Sequence, residues 1–452
     1  MAFRPLLPFN CLSCPDPDTH KNAGIFMRIL LVSANTEKIN MPVLPLGLAC
    51  VAEATRNAGH DVKLVDLMDQ QNTQIALKDA VDGFQPEVIG ISVRNIDDQC
   101  MENPGFLLES VRDFVRDCRS FSDAPIILGG AGYSIFPESA LAYLGADMGI
   151  QGEGKIAFTT LLERLSQKAD LSGIPGLYLP NRGIQGRVRF TKDLNECPLP
   201  LPGVQQWTSS PGENEEIWLP FQTRRGCPLN CSYCSTATIE GKILRKHSLA
   251  RVVDAISRYV ETGVDRFFFV DNTFNLPPSY AKEFCDRLVK AGLNISWRCI
   301  LYPWKMDEEL VRKMAEAGCK EVSLGFESGS GKILRALNKN FQPEEVRRIS
   351  ESLKRYGILR MGFLLLGGPE ENRKTVEESL VFADSLHLEA MKITMGIRIY
   401  PYTHLARIAI KEKIIAPDDD LLFPKFYMAP DLNEWLRTTV SVWMDGRPHW
   451  ML

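Results

Sequence analysis

A chain of 452 residues, 45% hydrophobic and 24% charged, is long enough for two or three domains, each with its own core. Its net charge of −4 gives no electrostatic footprint for nucleic acid or an anionic membrane, and no run approaches the roughly 18 apolar residues of a spanning helix. Twelve cysteines without a secretory signal argue against a disulfide framework and for a cytoplasmic protein.

Residues 1–26 read as a leader expected to be disordered; its Cys11 and Cys14 have C-x-x-C spacing but no second pair nearby. From Met27, β-branched runs alternate with helical periodicity. "MRILLVS" precedes "LGLACVAEATRNAG", "HDVKLVDL" precedes "QIALKDAVDGF", and "EVIGISV" precedes "FLLESVRDFVRDC". "APIILGG" then precedes "PESALAYLG", and "ADMGI" precedes "GKIAFTTLLERLSQ". Five such pairs predict a parallel sheet covered on both faces, a doubly wound flavodoxin/Rossmann-like α/β domain over 27–168. Ligands of such sheets bind beyond the carboxyl ends of the strands, where "SANTEKINMP", "RNIDDQ", "GGAGYS" and "QGEGK" fall. The segment from Gly149 to Lys155 imitates a phosphate loop, but Ile156 stands where Ser or Thr must reach Mg²⁺, so a nucleotide triphosphatase is rejected.

Residues 169–215 change character: "IPGLYLPNRGIQGRVRF" suggests a small hairpin, and the Pro/Gly-punctuated remainder a linker. The alternation resumes at Glu216 with "EIWLPFQ", "RFFFVD", "NISWRCI", "EVSLGFE", "RMGFLLLG" and "AMKITMGIRIY". Six units predict an open (β/α)6 partial TIM barrel over 216–400, functional at its carboxyl rim. Residues 401–452 form an irregular or helical extension whose Trp435, Trp443 and Trp450 are expected to cover the barrel or line an apolar pocket, core packing being the commoner use of such rings.

The stretch "TRRGCPLNCSYCSTATIEG" places Cys227, Cys231 and Cys234 on one loop just after the barrel's first strand. Three thiolates converging there suit a cuboidal iron–sulfur cluster, because soft sulfur selects iron–sulfur, zinc or copper(I). Structural zinc wants four protein ligands, and His247 is the nearest fourth candidate. Most other cysteines (Cys50, Cys118, Cys285, Cys299 and Cys319) stand singly in apolar segments, where a thiol behaves as a small hydrophobe.

With this spacing and Tyr233 before the last cysteine, the barrel resembles the radical S-adenosylmethionine (SAM) superfamily. The resemblance implies a [4Fe–4S] cluster whose open iron chelates SAM, and reductive cleavage of SAM to a 5′-deoxyadenosyl radical. It also assigns candidate SAM contacts. Asp271 in "FVDNTF" would meet the methionyl amino group, and Glu327 and Ser328 in "GFESG" the ribose or amine. Gly367 in "LLLGGPEE" would let backbone approach the adenine, and Arg398 lies in "GIRIYPYT" after the sixth strand. The N-terminal half resembles the cobalamin-binding domain of one branch of that superfamily, on "PVLPLGLACVAEATRNAGHDVKLVD", "GGAGYS" and "GADMGIQGEGKIAF". By that resemblance Ser33, Leu46, Gly47, Ser92, Arg94, Gly129, Gly130, Gly132, Gly152 and Glu153 are cobalamin-binding candidates. The first loop lacks the histidine that ligates cobalt in ordinary cobalamin methyltransferases. His60 stands at the wrong end of the sheet, and Arg94 is the candidate to face the cobalt.

The resemblance implies a cobalamin-dependent radical SAM enzyme, a C-methyltransferase that delivers a methyl group from methylcobalamin to an unactivated carbon. Oxidative cyclisation or ring rearrangement with the same cofactors, and a non-enzymatic cobalamin-dependent sensor, are the alternatives. Expected partners are a small-molecule or lipid substrate and a reductant such as flavodoxin or ferredoxin. Neither nucleic acid nor a membrane span is expected.

Overall fold

The structure, a computed structural model, describes residues 26–37, 45–68, 70–200 and 218–452. The leader with Cys11 and Cys14, and the linker from 201 to 217, lie outside the described residues. Among those described, no helix is long and apolar enough to cross a membrane.

The first half builds the expected sheet from β1 (Arg28–Ser33), β2 (Asp61–Asp66), β3 (Val88–Ser92), β4 (Ile126–Gly129) and β5 (Met148–Ile150). They pair in parallel in the order β2-β1-β3-β4-β5. β1 and β3 are buried almost throughout because helices cover both faces, as their unbroken apolar runs require. On one face Leu31 of the sheet shares a core with Ala52 and Phe158 of the helices Leu46–Asn57 and Gly154–Ser166. On the other, Leu30, Val32 and Phe114 belong to a core continuous with that of the second half. The hairpin suggested for 169–215 is β6 (Leu177–Leu179) and β7 (Gly183–Ile184), which add antiparallel to the edge at β5.

The second half contains β8 (Leu219–Phe221), β9 (Arg266–Phe269), β10 (Ser296–Leu301), β11 (Cys319–Glu327), β12 (Leu359–Leu366) and β13 (Ala390–Met395). All six are parallel and adjacent in chain order. A seventh short strand, β14 (Trp450–Met451), returns from the tail to pair parallel with β13. Trp443 stacks on Trp450 with ring centroids 6.0 Å apart, and Arg447 lies over both rings. These tryptophans therefore close the sheet edge and pack the tail.

The halves are tied by buried charge. Arg398 Nε donates to Asp97 Oδ2 at 2.8 Å with both side chains buried, and Arg245 Nη1 donates to Glu153 Oε1 at 2.7 Å. The Phe106 and Phe423 rings add a contact at 4.6 Å. The carboxyl ends of the two sheets thus face a common interface.

Candidate active site

At that interface lies a cavity of about 520 Å³. Its first wall is the carboxyl rim of the N-terminal sheet, and its floor runs inward between the sheet (Leu31, Gly90, Ile127) and the helices (Val51, Phe158). Its opposite wall comes from the barrel: Gln222, Arg225, Thr236 and Glu240 flank the cysteine loop on both sides. Ser33, Leu46, Gly47, Ser92, Arg94, Gly129, Gly130, Gly152 and Glu153 all line it, as expected of a cobalamin pocket. Gly132 does not. It backs onto the loop after β3, where a Cβ would stand 2.8 Å from the Arg94 carbonyl oxygen.

The charges on this wall are unequal. Glu153 accepts from Thr191 N at 2.8 Å and Arg245 Nη1 at 2.7 Å; burial pushes its carboxyl up, and these bonds with the Arg225 and Arg245 charges hold it below its usual range. Arg94 has no such partner: its buried Nη1 makes no hydrogen bond among the described residues, and burial depresses its pKa. His60 directly precedes β2, at the amino end of the sheet. An open, glycine-lined cavity with an orphaned guanidinium nitrogen and no histidine in its described lining fits a large corrinoid held without a protein imidazole.

The cysteine loop is shaped by its own backbone. Gly226 has φ +87°, and a Cβ there would stand 2.2 Å from Ile243 O, so the turn into the loop requires glycine. Cys227 N donates to Gly241 O, Ser232 N to Leu337 O, and Leu405 N to Ser232 O, pinning the loop on three sides. All three thiols are free. Burial pushes the Cys227 thiol up to about 11, with the neighbouring Cys234 and Cys231 adding to the rise. Yet among the described residues no three His, Cys, Asp or Glu side chains converge as ligands of one metal ion. Three free thiols on one pinned loop are the donor set that a cuboidal cluster takes, one thiolate per iron. His247 is buried, and Tyr280 Oη donates to its carbonyl at 2.8 Å.

Tyr233, between two of the cysteines, donates to Glu327 Oε1 at 3.0 Å. Lys339, absent from the sequence expectations, completes the group by donating to Tyr233 Oη at 3.0 Å and Glu327 Oε1 at 3.2 Å. Its side chain is buried, and Glu327, Tyr233 and Cys231 outweigh that burial to keep it protonated. Glu327 sits at φ +64° where the β11–β12 register shifts, which turns its carboxylate toward the loop.

The other expected SAM contacts are each engaged within the chain. Asp271 is fully buried: Oδ1 accepts from Thr223 N and Arg224 N at 2.7 and 3.0 Å, and Oδ2 from Thr223 Oγ1 at 2.6 Å while pairing with Arg224. It anchors the chain leading into the cysteine loop. Ser328 Oγ is spent on Ser379 Oγ at 2.8 Å and Ser330 N at 3.1 Å. Gly367 gives its N–H to Glu371 and its carbonyl to Ala429 N, while Met428 covers its α-carbon. Glu371, whose carboxyl burial pushes up to about 7, clamps Gly367 and Gly368 together. Arg398 spends its guanidinium on Asp97, Ile399 O and Leu421 O. The site therefore unites the cysteines, Tyr233, Glu327 and Lys339, with Asp271, Ser328, Gly367 and Arg398 as its frame.

Buried His247 carries a pH consequence. Burial, with Lys155, Arg225 and Arg251 nearby, lowers its pKa to about 3 against Asp193 alone, and its Nδ1 has no partner. An unfolded histidine binds its proton near pH 6.5. The neutral ring therefore contributes stability fully above that pH, and loses it progressively as pH falls toward 3. His247→Gln is expected to flatten the acid limb of a stability-versus-pH curve by up to one proton between those limits; an unchanged slope in urea titrations from pH 7 to 4 would count against the assignment.

An interface cavity beside a three-thiol loop is the arrangement of an enzyme that brings two cofactors together. The B12 binding domain matches residues 32–162 and the Radical SAM superfamily residues 222–383. An uncharacterized methyltransferase of Pyrococcus horikoshii is 29% identical over 86% of this chain and 84% of its own length. The cytidylyl-2-hydroxyethylphosphonate methyltransferase of Streptomyces wedmorensis is 26% identical over 90% and 85%. The structure of a radical S-adenosylmethionine methyltransferase from Kitasatospora setae, with cobalamin and a [4Fe-4S] cluster bound, superposes with a TM-score of 0.82 at 21% identity, covering 95% of this chain and 91% of that one. The chain belongs to the cobalamin-binding radical SAM enzymes.

Proposed function

We propose that this enzyme cleaves SAM reductively and methylates an unactivated carbon of a small molecule, with the methyl group drawn from cobalamin. The observation that carries this reading is the shared cavity: the residues flanking the cysteine loop are themselves a wall of the corrinoid pocket. When bound, the cluster supplies the electron for SAM cleavage and cobalamin the transferable methyl group. The chain's part is placement. Cys227, Cys231 and Cys234 hold the cluster, and Tyr233, Glu327 and Lys339 brace the loop from the rim of β11. Ser92, Gly129 and Gly130 would let a corrinoid approach the backbone, and Arg94 would be the cationic side chain beside it. Relatives include a tryptophan 2-C-methyltransferase and a hopanoid C-3 methylase, which supports methylation of a metabolite or lipid. A flavodoxin- or ferredoxin-type reductant and a cytoplasmic setting complete the proposal.

The test is anaerobic turnover with a metabolite extract and SAM labelled in its methyl group. Label in a new product with formation of 5′-deoxyadenosine is expected. An unlabelled, rearranged product would select cyclisation, and neither product nor 5′-deoxyadenosine would favour a sensor. The lower cobalt face is tested separately. Because no histidine lines the described cavity, electron paramagnetic resonance of the cob(II)alamin form should lack superhyperfine splitting from a protein nitrogen; such splitting, not traceable to the cofactor's own base, would contradict the Arg94 placement.

A further inference from the structure

The protein has a net charge of −4, yet the surface beside its cysteine loop is basic. Cys227 N donates to Gly241 O, and a Cβ on Gly226 would stand 2.2 Å from Ile243 O, so residues 241–243 run alongside the start of the loop. Arg224 and Arg225 pair with Lys246 and Arg245 in a short antiparallel ladder. Two further segments flank these. Phe190 packs its ring against Gly241, where a Cβ would stand 2.9 Å away. Arg224 Nη1 donates to Phe274 O and Leu276 O, and Asn275 between them donates to Tyr302 O and Trp304 O. Residues 186–192, 241–246 and 302–305 thus adjoin the entry to the loop.

The inward side chains of these segments are engaged. Val188 meets Gly152, Phe190 meets Gly241, and Arg245 is bound to Glu153. Arg187, Arg189, Lys242 and Lys246, which alternate with them, are exposed, as is Lys305. None of these five forms an ion pair among the described residues; Lys246 lies over the Tyr280 ring and Lys305 over that of Trp304. Ile243 among them is 76% exposed. No Asp or Glu occurs in 186–192 or 302–306, and Glu240, the one acid in 226–248, spends its carboxylate on Gly226 N, Asn272 and Gln222. An ordinary solvated face mixes both signs. Cations alone around an exposed aliphatic side chain make an apolar centre with a charged rim, which steers a partner of opposite charge.

The place of the patch says which partner. Reductive cleavage of SAM draws its electron from a donor outside the chain, and a protein seated here lies against the backbone of the cluster loop. We propose that Arg187, Arg189, Lys242, Lys246 and Lys305, around Ile243, dock an acidic electron carrier of the flavodoxin type. This rests on the radical SAM reading. One electron leaves the reduced flavin and is taken up as the carbon–sulfur bond of SAM breaks to methionine and the 5′-deoxyadenosyl radical. A nucleic acid is the other polyanion that a basic patch attracts, but Trp304 is covered by Lys305 at 4.1 Å and offers no platform for stacked bases.

The experiment is equilibrium binding of a purified acidic flavodoxin to the full chain, followed by flavin fluorescence at low and high salt. Wild type is compared with Arg189→Glu/Lys242→Glu, with Ile243→Ala, and with Lys290→Glu at the far end of the helix Pro278–Lys290. Wild type should bind flavodoxin, and added salt should weaken the complex. The double reversal should weaken binding at least about tenfold and remove most of the salt dependence, as loss of complementary charge implies. Ile243→Ala should weaken binding but keep the salt slope, and Lys290→Glu should leave both unchanged. In reconstituted protein the double reversal should raise the KM for reduced flavodoxin in 5′-deoxyadenosine formation, while the dithionite-driven rate stays at the wild-type level.

Equal flavodoxin affinity in all variants would overturn the proposal, as would a wild type that cleaves SAM with dithionite yet binds no flavodoxin. Equal loss of both rates together with iron would show a structural role for the reversed residues and overturn it too. If the double reversal kept flavodoxin binding but lost a mixed RNA pool that wild type retains, the patch would belong to nucleic acid, again overturning it. Absence of 5′-deoxyadenosine from wild type with either reductant would remove the radical SAM reading itself, and the docking surface with it.

Discussion

Asp271→Ala is expected to destabilise the enzyme by about 3–5 kcal/mol, the usual cost of removing one partner from a buried ion pair, and to strip iron from the cysteine loop. The carboxylate and Arg224 are 0% and 1% exposed. Arg224 also donates to Phe274 O at 2.7 Å and Leu276 O at 2.8 Å, and lies over the Tyr280 ring at 4.5 Å. With Asp271 gone, this guanidinium keeps its carbonyls but loses its counter-charge in a dry setting. Thr223 N and Arg224 N, just ahead of Cys227, lose their acceptor at the same time. Asp271→Asn keeps one oxygen for those amides and should lie between wild type and alanine. The denaturant midpoint and iron per chain measure both effects. If Asp271→Asn kept full stability and iron but lost SAM binding, Asp271 would be a SAM contact after all.

That possibility shows where sequence reasoning reaches its limit. An acid after a barrel strand looks the same whether it faces a ligand or its own scaffold. Asp271 is assigned by Arg224, 47 residues away, and Arg398 by Asp97, 301 residues away, and neither pairing has a local signal. Lys339 escaped notice for the same reason: an ordinary lysine becomes unusual only through burial. The strands were legible because β-branched runs alternate with amphipathic helices over lengths that admit no other reading. β14 was not, since two residues paired to β13 carry no periodicity. The lining of the interface cavity was largely legible because loops beyond parallel strands must form it. Gly132 was misplaced because it lies in the short helix Ala131–Ile135 and backs onto the loop after β3, a packing that no local signal announces.

Substituting Cys227, Cys231 and Cys234 together by alanine should abolish the cluster and all SAM cleavage while cobalamin still binds. The first half of this follows from ligand loss, since no other cysteine lies on that loop. The second half is less obvious, because Gln222, Arg225, Thr236 and Glu240 wall the corrinoid cavity from either side of that same loop. Their positions, however, do not depend on the thiols. Asp271 and Arg224 fix the entry, Leu337 O and Leu405 N hold Ser232, and Glu240 is tied to Gly226 N and Asn272. The N-terminal sheet has a separate core on the face where the cavity's floor lies. A domain of this size folds without a metal, unlike small metal-dependent modules. Corrin absorbance should therefore show cobalamin affinity within a few-fold of wild type in a protein devoid of iron and of 5′-deoxyadenosine formation. A soluble, compact triple mutant that no longer binds cobalamin would mean that the cluster itself orders the shared wall, and that the two cofactor sites form a single cooperative unit.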